Sequence, residues 1–185
     1  MHSPRCCRPA DRLWYVRSTS TTCVGSSVAG VSLSVQVGSP IPPFRAASTG
    51  GEIDSAKLKG RKVVLFFYPK DNTPGCTRQG ADFRDLHAAF VDAGAVVLGV
   101  SRDSLKSHEN FKAKLQFPFE LISDADEALC RAFDVLREKT LYGRKVRGIE
   151  RSTFVVDAEG RLAREWRGVR VPGHVEEVLR FVRSI

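Results

Sequence analysis

The sequence predicts an α/β fold, with a mixed central sheet flanked by helices in a single domain. Three observations carry that prediction. The runs Val63–Tyr68 and Ala95–Val100 are apolar throughout, as strands covered on both faces are. Segments with apolar residues at three- and four-residue steps follow them, the mark of helices with one buried face. Near the C-terminus, Ser152–Val156 and Arg161–Trp166 flank Asp157-Ala158-Glu159-Gly160, which reads as a hairpin.

Residues 1–30 stand apart. They carry Arg5, Arg8, Arg12 and Arg17 against one acid, Asp11, with many Ser and Thr. They show no continuous apolar core of a secretory signal. An Arg- and Ser-rich transit peptide would account for them, and so would upstream sequence read from an early start. Either way, a disordered extension is expected before a domain at residues 35–185.

Val31, Leu33, Val35 and Val37 alternate with small or polar residues, which predicts a strand or extended lead-in. Gly38–Pro43 is a connector. Phe44–Ala47 and Glu52-Ile53 predict a short hairpin across Gly50-Gly51. Ser55–Leu58 reads as one helical turn, closed by Gly60. After the strand at 63–68, Pro69, Pro74 and Gly75 forbid a regular continuation. Phe83, Leu86, Phe90 and Val91 then predict a helix from Cys76 to about Ala93, with Gly94 as its C-terminal cap. Beyond the strand at 95–100, Ser104 opens a helix as N-cap, with Leu105, His108, Phe111 and Leu115 on one face. Pro118–Ile122 predicts a third strand. Asp124 caps a short helix through Ala128, Leu129, Ala132 and Phe133. Val175, Val178, Leu179 and Val182 line a last helix after the hairpin.

A chain of 185 residues suits one domain with an appendage. No apolar run reaches the length of a membrane span. The net charge of +8 comes without a nucleic-acid reading element. A scattered basic surface or steering of acidic redox partners accounts for it. The cysteines, Cys6, Cys7, Cys23, Cys76 and Cys130, are odd in number and form no disulfide framework, which fits a reducing compartment. No recurrent metal-ligand spacing links them to the histidines, so neither metal nor cofactor is expected.

The chemistry centres on Cys76. A buried strand feeds a tight loop, and the loop delivers this cysteine into the first turn of a helix. Free backbone N–H groups and the helix dipole favour an anion there, and the thiolate is the reactive form. Thr73, three residues upstream, brings a hydroxyl that can donate to or accept from whatever sits over the sulfur. Pro69 ends the strand and could shield the sulfur from water. The competing reading of Cys76 is a packing cysteine under a helix. A dithiol exchange site would need a second cysteine three positions on, and that position is Gln79.

The stretch Phe67-Tyr68-Pro69-Lys70-Asp71-Asn72-Thr73-Pro74-Gly75-Cys76-Thr77 resembles the active-site motif of the peroxiredoxins, in their Q-type or bacterioferritin comigratory branch. The resemblance runs from about Val35 to the C-terminus. It takes in Phe83-Arg84-Asp85, Gly99-Val100-Ser101, Asp103 and Arg151–Asp157. It implies a thioredoxin-like fold and a thiol-dependent peroxidase acting on hydrogen peroxide and organic hydroperoxides. Cys76 would be the nucleophile and become a sulfenic acid. Arg151 matches the family's arginine on a later strand, although a surface charge is its ordinary reading. Many Q-type relatives carry a resolving cysteine five residues after the reactive one, here Ala81, or in the next helix, near Phe111. Neither position is cysteine. Cys130 reads as a buried helix residue. A one-cysteine mechanism is therefore expected, with thioredoxin, glutaredoxin or a small thiol as reductant. A monomer is expected, without nucleic-acid or membrane partners. It would work in the cytoplasm, or in a mitochondrion or plastid if residues 1–30 are a transit peptide. A peroxide sensor that relays oxidation to a partner protein is the alternative.

Overall fold

The computed structural model of the chain describes residues 35–141 and 144–185. The elements run β1 (Arg45–Ser48), β2 (Gly51–Asp54), a 3-10 turn (Ser55–Leu58), β3 (Lys62–Phe67), α1 (Pro74–Asp85), α2 (His87–Asp92) and β4 (Ala95–Ser101). They continue with α3 (Leu105–Leu115), β5 (Glu120–Ser123), α4 (Ala128–Ala132), β6 (Leu136–Leu141), β7 (Arg144–Ile149), β8 (Ser152–Val156), β9 (Leu162–Trp166) and α5 (His174–Ser184). Seven strands form one sheet in the order β2-β1-β5-β4-β3-β8-β9, and β6 and β7 form a separate two-stranded ribbon. β3, β4 and β5 are parallel, while β8 runs antiparallel to β3. The mixed sheet is the predicted one. Among the described residues, no helix is long and apolar enough to cross a membrane.

The pleat of β3 sorts the core into two halves, because successive side chains point to opposite faces. Val64, Phe66 and Tyr68 join a cluster with Cys76, Phe83, Phe90, Phe111 and Val178. Val63, Leu65 and Phe67 join another with Cys130, Phe133, Phe154 and Leu162. Phe66 stacks on Phe83 with ring centroids 4.4 Å apart, which seats α1 on the sheet. Truncating such a buried ring to alanine costs about 3–5 kcal/mol. Gly80 leaves room for a second ring against α1, since a Cβ there would collide with Phe117.

Several expectations need correction. The predicted helix from Cys76 to Ala93 is two helices, α1 and α2, broken at Leu86. No proline or glycine marks the break. The first hairpin turns at Thr49-Gly50, with Gly51 already in β2. β5 starts two residues later than Pro118, which cannot donate to a ladder. Val35 is buried and Val37 is 59% exposed, but both lie in irregular chain and not in a strand. Asp124 caps α4 from a distance: its carboxylate accepts from Leu129 N at 2.9 Å and Cys130 N at 2.7 Å, while the helix itself begins at Ala128. The β6–β7 hairpin was not expected at all. The extension at 1–30, and residues 31–34 of the lead-in, lie outside the described residues.

Candidate active site

The site forms where β3 ends. Tyr68 N makes the last bond of the strand, to Val100 O at 3.1 Å. Pro69 follows, exposed and without an N–H, so the ladder stops there. The chain reverses through Asn72, at φ 57°, and becomes extended at Thr73, the N-cap of α1. Pro74 then takes the first helical position, where its fixed φ suits the helix and no donor is lost. The first helical bond runs from Thr77 N to Thr73 O at 2.9 Å. The N–H groups of Gly75 and Cys76 therefore have no partner within the helix.

Cys76 sits in that first turn and is 2% exposed. Arg151 reaches it from the residue just before β8. Because β8 runs antiparallel to β3, with Phe67 opposite Ser152, the residue before Ser152 lies at the same end of the sheet as the loop after β3. Arg151 Nη2 donates to Cys76 Sγ at 3.3 Å. Its Nη1 donates to Gln79 Oε1, one helical turn beyond the cysteine. Gly75 leaves room for this approach, since a Cβ there would stand 3.2 Å from Nη2. The Thr73 hydroxyl donates to Lys70 O at 3.1 Å. Its oxygen keeps lone pairs to accept a further hydrogen bond. Of the four residues singled out from the sequence, Cys76 and Arg151 are in direct contact. Thr73 flanks them on the loop, and Pro69 closes the strand.

Gln79 is a site residue that sequence reasoning missed. It is fully buried, and its Nε2 is a buried side-chain donor without a partner among the described residues. Its spacing of three from Cys76 puts it on the same helical face, which was the available signal. Behind Arg151, His174 Nε2 and Thr153 Oγ1 lie 2.8 Å apart. Burial pushes the His174 ring below the usual histidine range; the charge of Glu177 opposes this and that of Arg151 adds to it. Lys70 and Arg78 are exposed, and Arg78 pairs with Asp82 at 2.8 Å.

A lone cysteine at a helix N-terminus, facing a guanidinium at one end of a mixed sheet, defines a thiol-chemistry site on a thioredoxin-like scaffold. The profile of the AhpC/TSA family matches residues 37–165, and the chain belongs to that family. Peroxiredoxin Bcp of Xanthomonas campestris is 57% identical over 125 residues, which cover 68% of this chain and 78% of that protein. Peroxiredoxin Bcp of Bacillus subtilis is 44% identical over 154 residues, 83% of this chain and 98% of that one. The solved structure of Xanthomonas campestris peroxiredoxin Q superposes with a TM-score of 0.74 at 51% identity, covering 76% of this chain and 90% of that chain. A structure of the bacterioferritin comigratory protein of the same organism, described for its alkyl peroxide reduction activity, gives a TM-score of 0.76 at 47% identity, covering 80% and 98%.

Proposed function

We propose that the chain is a thiol-dependent peroxidase that reduces hydrogen peroxide and organic hydroperoxides through Cys76. The observation that carries this reading is the Arg151 guanidinium 3.3 Å from the Cys76 sulfur in the first turn of α1. The thiolate attacks one peroxide oxygen, the O–O bond breaks, and the other oxygen leaves with a proton as water or alcohol. Cys76 keeps the attacked oxygen as a sulfenic acid. Charge develops on the leaving oxygen, and donors aimed at it lower the barrier. Arg151, which stays charged and carries several N–H groups, and the free N–H groups of Gly75 and Cys76 are suited to that task. Thr73 offers an acceptor to the peroxide O–H. The names of the relatives support the same activity, and nothing in the site favours the sensor alternative.

The return to thiol uses an external thiol. It attacks the sulfenic sulfur and releases water; a second thiol then resolves the mixed disulfide. Cys130 is unsuited to that step, being packed on the other face of the sheet. Thioredoxin, glutaredoxin or a small thiol fits the role, with the chain acting as a monomer. Since Cys76 is 2% exposed, a small oxidant has the easier approach. A protein reductant needs the first turn of α1 to open.

The test is peroxide consumption by the purified protein with thioredoxin or dithiothreitol, followed by intact mass after one equivalent of peroxide. The reading expects turnover, and a single added oxygen trapped on Cys76 by a sulfenic-acid reagent. Turnover that survives Cys76→Ser would sink it.

A further inference from the structure

The loop that carries Thr73 is tied to a buried polar cluster that the chemistry above leaves unused. Asp71 is 5% exposed, and its carboxylate accepts three hydrogen bonds. They come from Tyr68 Oη at 2.8 Å, Ser107 Oγ at 2.7 Å and His108 Nδ1 at 2.9 Å. His108 is fully buried, and its other nitrogen faces Ile122 O at 3.1 Å. Both ring nitrogens thus face acceptors, so one proton lies between His108 and Asp71. The Asp71 backbone N–H donates to Asp103 Oδ2 at 2.8 Å. Asp103 in turn is held by Ser101 Oγ at 2.8 Å and, through its carbonyl, by Ser123 Oγ at 2.7 Å. One loop residue is therefore fastened to α3 and to the ends of β4 and β5. Burial alone would raise the Asp71 carboxyl; the hydrogen bonds from His108 and Ser107, the charge of His108 and the Tyr68 hydroxyl together hold it below the usual range.

A carboxylate is expensive to bury, and ending a strand does not require one. What the anchorage fixes is the turn from Lys70 to Thr73. With Asp71 held and Asn72 at φ 57°, the Lys70 carbonyl comes within 3.1 Å of the Thr73 hydroxyl and takes its hydrogen. The hydroxyl is left as an acceptor pointing its lone pairs elsewhere. If the turn relaxed, the same hydroxyl could rotate and donate, and a peroxide would lose the acceptor that orients its O–H.

We infer that Asp71, clamped by His108, is a positioning residue for Thr73, setting that hydroxyl as the acceptor for the hydroperoxide O–H. The inference rests on the peroxidase reading. A double-mutant cycle tests it with hydrogen peroxide as substrate, using Asp71→Asn, Thr73→Val and the pair. Misplaced contacts of this kind lower kcat/KM by roughly tenfold or more, so Asp71→Asn should do so. In the Thr73→Val background it should add less than about twofold, because the two residues act as a unit. The rate of Cys76 alkylation by iodoacetamide should stay within about twofold of wild type, since Arg151 and the helix terminus are untouched. Ser107→Ala removes one donor from the same carboxylate on a partly exposed residue. It repeats the cycle at smaller amplitude should Asp71→Asn fail to fold. Equal losses in both backgrounds, or alkylation falling in step with peroxidase activity, would overturn the inference while leaving the peroxidase reading intact. A wild-type chain without peroxidase activity would overturn both.

Discussion

Cys76 and Cys130 lie on opposite faces of one sheet, and each is almost wholly buried, at 2% and 0% exposure. Each also sits on a helix. Their neighbours differ in sign. Cys76 faces the Arg151 guanidinium and the free N–H groups of the first turn of α1. Cys130 lies beside the Asp124 carboxylate, which accepts its backbone N–H at 2.7 Å. Burial, followed by the hydrogen bond and charge of Asp124, pushes the Cys130 thiol up. Burial therefore does not tell the two sulfurs apart. The charge placed beside the sulfur does.

The strongest way to break this comparison is to remove each sulfur in turn. Cys76→Ser should lower peroxidase turnover to the background of the thiol donor, a loss of more than about a thousandfold, because among the described residues no other cysteine adjoins Arg151. Cys130→Ser should change turnover by less than about twofold. Comparable losses in the two variants would mean that Cys130 takes part in the cycle. The next largest effect belongs to the guanidinium. Arg151→Met keeps the length of the side chain and removes its donors. It should lower kcat/KM for hydrogen peroxide by about a hundredfold, the usual scale for one lost donor to a developing charge. Thermal unfolding of the variant separates this from loss of fold.

Much of this contrast was legible in the sequence. The apolar run at 63–68, its proline stop and the return of helical spacing after Cys76 each state a local preference that the fold keeps. The Arg151 contact was not legible from local pattern, since it joins residues far apart in sequence that meet only once β8 pairs with β3. Between α4 and β8 the chain makes the β6–β7 excursion, whose ends meet where Glu150 N donates to Val135 O at 2.7 Å. Those strands were missed for a physical reason. Arg137, Glu138, Lys145 and Arg147 give the segment little apolar periodicity. The register that sets Glu138 opposite Arg147 exists only once the hairpin has formed. Gln79 was missed in the same way: on a helix surface it is an ordinary polar residue until Arg151 arrives.

The Cys130 side of the comparison predicts a pH effect on stability. A thiol in the unfolded chain ionises near pH 8.5. The folded protein holds Cys130 protonated to higher pH, so the folded state binds the extra proton above that point. The stabilisation is fully present below about pH 8.5 and is lost as pH rises, at about 1.4 kcal/mol per pH unit. Denaturant unfolding of wild type and Cys130→Ser at pH 8 and pH 10 checks it. Wild type should lose about 2 kcal/mol more than the variant over that interval. Parallel slopes would show that the sulfur beside Asp124 is not held as a thiol.

The smallest effect expected tests how closely Arg151 must approach Cys76. Gly75 does not need a positive φ; its role is space, because a Cβ would stand 3.2 Å from Arg151 Nη2. In Gly75→Ala the guanidinium must yield by a few tenths of an ångström, and the neighbour it drifts from is the sulfur, now 3.3 Å away. Alanine also favours the helix, so stability should hold or rise slightly. Turnover should nevertheless fall about threefold, equivalent to about 0.6 kcal/mol in the barrier. The same substitution in an Arg151→Met background should then have almost no effect, since the clash and the contact disappear together. A threefold loss that persists without the guanidinium would place the role of Gly75 in the backbone of the first turn.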